Sequence, residues 1–479
     1  MRRLIIYILS IFLFTGYNAC IYGQCTIRGK VTCNGIGVNK VVVTDGIRCV
    51  ETSENGEYAI PSLKPTRFVY ISTPSGYIPA YKDKTIPQFY KAVTGDTDTY
   101  DFEIYQNPKN DTNHLFIAQA DVQLVDNENL ESYKKILNDC KSLVAGYSDK
   151  DIFGVDCGDI VGDTPSLYPA YIQASSILDF PVYRAIGNHD MDYFGRSHET
   201  STKTFENYFG PVYYSFNKGN AHYIVIDNTF FVGRDYFYLG YIDEKTYAWI
   251  EQDLSYVEKG APVFIIMHIP SRLEEKQAPF KYEYSGLAGQ TINISALYEM
   301  LKPYNAHIIT GHMHYNHNIA HSSNIMEHNT GAVCGTWWRG DICLDGTPQG
   351  YGVYEVNGND VKWYFKSSGF DKEHQFRAYR PGASSEFPED IIVNVWNWDK
   401  NWKVEWLEDG KVQGEMVRFT GIDPDAKILC SDREKVKYDW ISPVTTPHLF
   451  RAIPKNRMAK LSIKVTDCFG NVYQQEIKQ

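Results

Sequence analysis

The sequence predicts an α/β fold flanked on both sides by β-rich segments, and three observations carry that prediction. The chain has 479 residues, more than one hydrophobic core usually supports, so several domains are expected. A polar stretch from Gln106 to Asn113 (QNPKNDTN) separates short β-patterned runs from a region in which apolar strands alternate with helices. From about Pro381 onward the pattern is β again, without a long helix. A composition of 43% hydrophobic and 22% charged residues is that of an ordinary globular protein and excludes disorder, collagen and coiled coil.

The first residues set the compartment. Met1-Arg2-Arg3 precedes an apolar run from Leu4 to Phe14, and small and polar residues follow from Thr15 to Gln24. This order of basic, apolar and small residues reads as a signal peptide over 1–24. The run is shorter than the roughly 20 residues needed to span a bilayer, and no comparable run follows. Export is expected, to the periplasm, the cell surface or the medium. Cleavage before Cys25 fits Gly23-Gln24. Cys20 lacks an aliphatic residue three positions earlier, which makes a poor lipobox, and a lipid anchor stays open. The formal charge of −11 becomes −13 without Arg2 and Arg3, a field that favours neither nucleic acid nor anionic lipid. Small phosphorylated substrates remain compatible with a local cation site. None of the 10 cysteines forms a CxxC pair. Cys33 with Cys49, and Cys430 with Cys468, are candidate bridges between neighbouring strands in an oxidising compartment, whereas Cys157, inside an apolar strand, reads as a buried thiol.

Residues 25–106 show runs such as Thr26–Val31, Lys40–Gly46 and Glu54–Ile60, broken by Asn-Gly and Asp-Gly turns. They predict a small β-sandwich without a catalytic constellation. Its pattern "GKV…GVxxVVVTDG…T…NGEYAI" resembles transthyretin-like, carboxypeptidase-regulatory-type modules. Residues 113–365 alternate strands (114–120, 152–157, 180–186, 263–267, 307–310) with helices (128–147, 243–259, 295–301) and close on strands 352–356 and 361–365. Periodicity carries these assignments. Residues 381–479 predict a C-terminal β domain with strands at 391–398, 402–406 and 461–465. Its aromatic content suggests a packed interface with the middle domain. Trp396, Trp398, Trp402 and Trp406 are either a carbohydrate-stacking platform or, as alternate positions on strand faces favour, a hydrophobic core.

Five strands of the middle region end in a residue able to hold a metal: Asp121-Val122-Gln123, Gly158-Asp159, Gly187-Asn188-His189-Asp190, His268, and Gly311-His312-Met313-His314. Ligand crevices of open α/β sheets form at the carboxyl ends of strands, so these segments can converge. His312 and His314 alternate along a segment read as extended, which would point them to different sides.

Over roughly Asn113 to Phe365 the sequence closely resembles the calcineurin-like metallophosphoesterase superfamily, whose blocks are D-x-H, GDxxxx, GNHD/E, a lone His and GHxH. The resemblance implies an αββα sandwich and two divalent metal ions. One would be held by Asp121, Gln123, Asp159 and His314, the other by Asp159, Asn188, His268 and His312, with Asp159 bridging. His189 corresponds to the family's catalytic His, beside the substrate. Two cations about 3.5–4 Å apart need a bridging carboxylate, acidify a shared water and clamp the phosphoryl oxygens. His189 would then supply a proton to the leaving alkoxide.

Two departures shape the expectation. Gln123 stands where the commonest pattern has His. Its neutral oxygen favours harder ions, with Mn preferred over Fe or Zn. The Asp that orients the catalytic His in protein phosphatases lies three residues after the bridging Asp, whereas here position 162 is Gly and the acid is Asp163. A His189–Asp163 pair is therefore left open, and the GDxxDRG signature of protein phosphatases is absent. Asp190 reads as a partner of the ligands, and His317, His321 and His328 as structural or solvent-facing. Arg339 in Trp337-Trp338-Arg339, together with Arg196 and His198, are candidate substrate contacts, each with a plain surface role as the alternative. Two functional readings follow: an exported phosphoesterase acting on a mono- or diester or a pyrophosphate, and a non-catalytic exported protein that grips glycan or protein with its β modules. Nothing before the linker is expected to be needed by the metal site.

Overall fold

The computed structural model describes residues 25–62, 66–233, 237–273 and 283–477; the expected signal peptide and Cys20 lie outside them. The fold is α/β, with a central two-sheet sandwich carrying helices on its outer faces and β-rich regions at both ends. In the first central sheet, Asn113–Gln119, Asp151–Asp156 and Val182–Arg184 run parallel. Gly350–Asn357 and Asp360–Ser367 extend it antiparallel. In the second, Ala221–Val225, Pro262–Ile266, Asn305–Thr310 and Ile325–Asn329 are parallel, with Tyr214–Lys218 and His317–Ala320 at the edges. The strand runs read from sequence recur, displaced at their ends by a few residues.

Aromatic side chains fill the space between the sheets. Phe116 meets Phe264 at 5.1 Å and Tyr354 at 4.6 Å, and Phe153 meets Tyr223 at 5.2 Å. Much of the chain's aromatic wealth is thus interior. On the outside, the helix Asn127–Val144 is capped by the Asp126 carboxylate, which accepts from the Asn129 N–H. It buries Tyr133, Ile136, Leu137 and Cys140 against the first sheet, a face set by helical spacing.

Buried histidines add a pH dependence to this core. His114 bonds the Asp111 carbonyl at 2.7 Å and the Tyr223 hydroxyl at 2.5 Å, and burial pushes it down to about 4. His307 and His328 share a hydrogen bond of 3.0 Å; burial takes His307 to about 4 and lowers His328 as well. The folded state holds these rings neutral, whereas the unfolded chain protonates them below about 6.5. Stability is therefore present above pH 6.5 and lost as the pH falls towards 4. In chelated protein, His307→Gln and His114→Gln should each reduce the stability lost between pH 7.5 and pH 5.0 by about 2 kcal/mol relative to the parent. An unchanged pH dependence in folded variants would refute this.

The N-terminal region forms two small sheets. Cys25–Cys33, Glu57–Ser62, Phe102–Gln106 and Tyr77–Pro79 build one, and Tyr90–Ala92, Phe68–Ser72, Val42–Thr44 and Cys49–Glu51 the other. Its interior and that of the central sandwich form one continuous hydrophobic cluster. At the other end, two four-stranded sheets enclose Val393, Trp398, Val404, Phe450 and Ile463. Trp396, Trp398 and Trp402 are buried and Trp406 packs against the same core, so the tryptophan cluster is interior and no carbohydrate platform. The strand expected over 391–398 stops at Asn394, and Trp402 precedes the strand Lys403–Glu408. The expected disulfides are not formed. Cys33 and Cys49 lie in different sheets, Cys430 and Cys468 pack in different clusters, and all four are free thiols. No helix among the described residues is long and apolar enough to cross a membrane.

Candidate metal centre

Every predicted metal-binding position lies at or just beyond the carboxyl end of a central strand, and the structure brings them together. Asp121 and Gln123 follow Asn113–Gln119, Asp159 follows Asp151–Asp156, and Asn188 follows Val182–Arg184. His268 follows Pro262–Ile266, and His312 and His314 follow Asn305–Thr310. Asp159 stands in the middle. Its Oδ2 accepts from the Gln123 amide at 3.0 Å and lies 3.3 Å from His268 Nε2. On one side, Gln123 Nε2 is 3.2 Å from His314 Nε2, which lies 3.5 Å from Asp121 Oδ1. On the other, His268 Nε2 is 3.0 Å from Asn188 Oδ1 and 3.1 Å from His312 Nδ1. Asp159, His268 and His312 offer ligand atoms within 4.8 Å of one another.

The backbone is contorted to achieve this. Asp121, Gln123, Asp159, His312 and His314 all adopt left-handed φ between 44° and 71°, a conformation costing of order 1 kcal/mol or more each in non-glycine residues. His312 and His314 thus diverge through a left-handed turn, not by alternation along an extended strand as expected. Glycines allow the segments to close up. A Cβ on Gly187 would stand 2.2 Å from Asp159 Oδ1, and one on Gly311 would stand 2.7 Å from Asp121 Oδ2.

Second contacts aim the ligand atoms. His268 Nδ1 bonds the Cys157 carbonyl at 2.9 Å and His314 Nδ1 the Gly335 carbonyl at 3.3 Å, turning both Nε2 atoms inward. The buried Asp190 carboxylate accepts from the Ile160, Val161 and Gly187 N–H groups, tying the Asp159 loop to the Asn188 loop. Asn228, which sequence reasoning missed, accepts from the His268 and Ile269 N–H groups. Its signal was available: Val225-Ile226-Asp227-Asn228 is another apolar run ending in polar residues. The pair left open by the four-residue spacing is made, with His189 Nδ1 3.0 Å from Asp163 Oδ1. Asp163 reaches it through its own left-handed φ of 58°. The His189 N–H donates to Asp159 Oδ1 at 2.8 Å.

The donor chemistry fits divalent cations. Burial pushes the Asp121 carboxyl up to about 8 against the pull of His268. Asp159 feels the same burial, but His268 and His189 hold it below the ordinary carboxylate range. Burial lowers His312 to about 3 and His314 to about 4, leaving both neutral and able to donate a lone pair. His268, lowered by burial and raised by Asp159, comes out at about 9. His189 is also raised overall, since Asp159 and Asp163 outweigh its burial. Two facing imidazole nitrogens 3.1 Å apart require a proton or a cation between them, and cations would replace the protons held by Asp121 and His268.

The remaining candidates fall in other places. His198 pairs with Asp227 at 3.1 Å and lines a cavity of about 290 Å³ between the N-terminal region and the sandwich, beside Asp45, Arg67 and Tyr70. No predicted metal ligand lines that cavity; Asp227, the partner of His198, precedes Asn228, which accepts from the His268 N–H. Arg196 is exposed. Arg339 is half-buried, and its Nε has no hydrogen-bond partner among the described residues. His321 bonds Glu327 at 2.5 Å and His328 bonds Asn318 at 2.9 Å, both structural contacts, and His317 is buried.

Known families match along most of the chain. Residues 93–316 match the calcineurin-like phosphoesterase model, residues 25–107 the model of its N-terminal part and residues 327–473 that of its C-terminal part. No curated protein matches. Among solved structures, the chain is similar to a dimetal phosphatase from Danio rerio, with 14% identity, 53% of this chain and 96% of that one covered, and a TM-score of 0.37. It is also similar to a purple acid phosphatase from yellow lupin seeds, with 11% identity, 69% and 67% covered, and a TM-score of 0.38. A 5'-nucleotidase from Candida albicans has 12% identity, 55% and 53% covered, and a TM-score of 0.31.

Proposed function

We propose, since the chain belongs to the calcineurin-like phosphoesterase family and is therefore a metal-dependent phosphoric ester hydrolase, that it is an exported enzyme cleaving a small phosphate mono- or diester or a pyrophosphate. The observation that carries the reading is Asp159, whose carboxylate touches the Gln123–His314 side and the His268–Asn188 side at once. In this reading Asp121, Gln123, Asp159 and His314 would hold one divalent ion, and Asp159, Asn188, His268 and His312 would hold the other. The Gln123 amide would turn so that its oxygen takes the place its Nε2 occupies beside Asp159 and His314. The neutral Gln123 amide favours manganese. Bound there, the ions supply a nucleophile near neutral pH and neutralise the phosphoryl oxygens. Residues 1–24 act as an export signal, and 25–106, 113–365 and 381–479 as three modules around one site.

Chelation supplies the test. Purified protein should carry close to two transition metal ions per chain, and exhaustive chelation should abolish hydrolysis of an aryl phosphate that Mn²⁺ then restores. Full activity after chelation would reject the proposal. Bis-aryl phosphate and nucleoside diphosphate compounds alongside it would separate diester and pyrophosphate hydrolysis from monoester hydrolysis.

His189 is the residue we assign to the leaving group. Its Nδ1 is held by Asp163, its Nε2 lies 3.9 Å from Asp159 Oδ2 on the side of the metal cluster, and the two nearby carboxylates favour the protonated ring. His189→Ala should keep both metals yet lose rate by about 10²–10⁴-fold. An alkyl ester, whose poor leaving group needs the proton, should suffer more than a nitrophenyl ester. Equal losses, or loss of metal, would assign His189 another role.

A further inference from the structure

The metal cluster has an aromatic flank assembled from two distant parts of the chain. Trp337 stacks on the His314 imidazole, with ring centroids 4.0 Å apart and planes at 19°. Its left-handed φ of 46° marks a backbone bent to present that ring. Trp440 then meets Trp337 edge-on, at 4.7 Å and 86°. It belongs to the C-terminal region, between the helix Arg433–Val436 and the strand Thr445–Ala452.

Trp440 is 61% exposed although its stem is fixed. Ile441, next in the chain, is buried with Ile342, Leu344 and Leu429, and the Tyr438 ring lies 5.5 Å from the indole at 30° to it. A large aromatic surface left in water on an anchored support, one ring away from a metal ligand, suits a ligand that covers it. Arg339, two residues beyond Trp337, is half-buried, and its Nε has no hydrogen-bond partner among the described residues.

We propose that Trp440 is a specificity-determining residue, and that the site takes phosphoesters whose non-phosphoryl part carries a flat aromatic ring, stacked on the exposed face of that indole. This rests on the phosphoesterase reading of the cluster. The C-terminal region is then part of the substrate site, supplying an exposed ring beside Trp337.

Calorimetry on the full chain loaded with Mn²⁺ tests binding without turnover. Phenylphosphonate should bind more tightly than ethylphosphonate. That preference should fall about three- to tenfold in Trp440→Ala, the range expected for one aromatic pair. It should largely survive in Trp440→Phe. Should the alanine variant fail to fold, Trp440→Leu removes the ring while keeping apolar bulk. The ratio of kcat/KM for phenyl over ethyl phosphate should fall in parallel. An undiminished phenyl preference in the folded alanine or leucine variant, or no such preference in the parent protein, overturns the proposal. Binding of phenylphosphonate through Trp440 without hydrolysis of any ester would instead reject the enzyme reading and leave the subsite standing.

Discussion

Asp159→Asn should lose phosphoester hydrolysis by about 10³-fold or more while leaving the fold intact. Asp159 is fully buried between two sets of donors, and its two oxygens do separate jobs. Oδ1 accepts from the His189 N–H at 2.8 Å, and Oδ2 lies within 3.3 Å of both Gln123 Nε2 and His268 Nε2. An asparagine must turn its NH₂ towards one of these, placing a donor against the His189 N–H or against the Gln123 amide. It also removes the negative charge that offsets the repulsion of two cations about 3.5–4 Å apart, a loss of several kcal/mol, and each ~1.4 kcal/mol is tenfold in rate. Metal analysis should find fewer than two ions per chain, with a melting temperature close to that of the chelated parent. Two tightly held ions and a rate within tenfold of the parent would show that Asp159 does not join the two sites.

The metal cluster was legible because its chemistry is local: acids, amides and imidazoles placed directly after apolar strands, with glycine in front of Asp159, Asn188 and His312. Strand periodicity gave the layers, and the topology of an α/β sheet gathers strand ends without help from distant residues. What sequence could not reveal depends on backbone geometry or on long-range packing. The left-handed turn at Asp163 brings its carboxylate to His189 despite the altered spacing, and no pattern of residue types encodes that φ. Trp337 stacks on His314 across about 20 residues of sequence, and Trp440 meets Trp337 edge-on across about 100. The proposed disulfides failed for a similar reason: Cys33 and Cys49 sit in different sheets, and Cys430 lies on the helix Pro424–Ser431, away from the core that Cys468 joins. The Trp396 to Trp406 cluster was read correctly as core, though its positions lie partly outside the strands assumed.

The polar linker misled more seriously, and the correction yields the last prediction. Removing residues 25–110 should collapse the protein instead of releasing an active core. The linker is pinned, since Asp111 accepts from the Gly76 N–H at 2.7 Å and from Ser75 at 3.1 Å. Beyond it, the buried Arg184 guanidinium donates to the Thr85 carbonyl at 3.1 Å and to the Thr85 hydroxyl at 3.2 Å, and Val182 N–H bonds the same carbonyl. Tyr213 donates to the Gly46 carbonyl at 2.6 Å and Gln252 to that of Ile47 at 2.8 Å. Phe89 packs on Tyr214 at 4.5 Å, and Tyr70 meets both Tyr213 and Trp249, at 6.5 and 6.4 Å. Deletion would expose these aromatic faces, at roughly 1.5–3 kcal/mol for each large side chain fully uncovered. It would also strip partners from a buried cation, at a further few kcal/mol. Their sum rivals the roughly 5–15 kcal/mol that holds a typical domain together. The strand Val182–Arg184 leads straight into Asn188 and His189, so the damage reaches the metal cluster. The shortened chain should be insoluble or melt far below the parent, without phosphoesterase activity. A soluble, cooperatively melting protein of residues 111–479 with parental activity on a small aryl phosphate would mean that the N-terminal region only leans on the enzyme and does not complete its core.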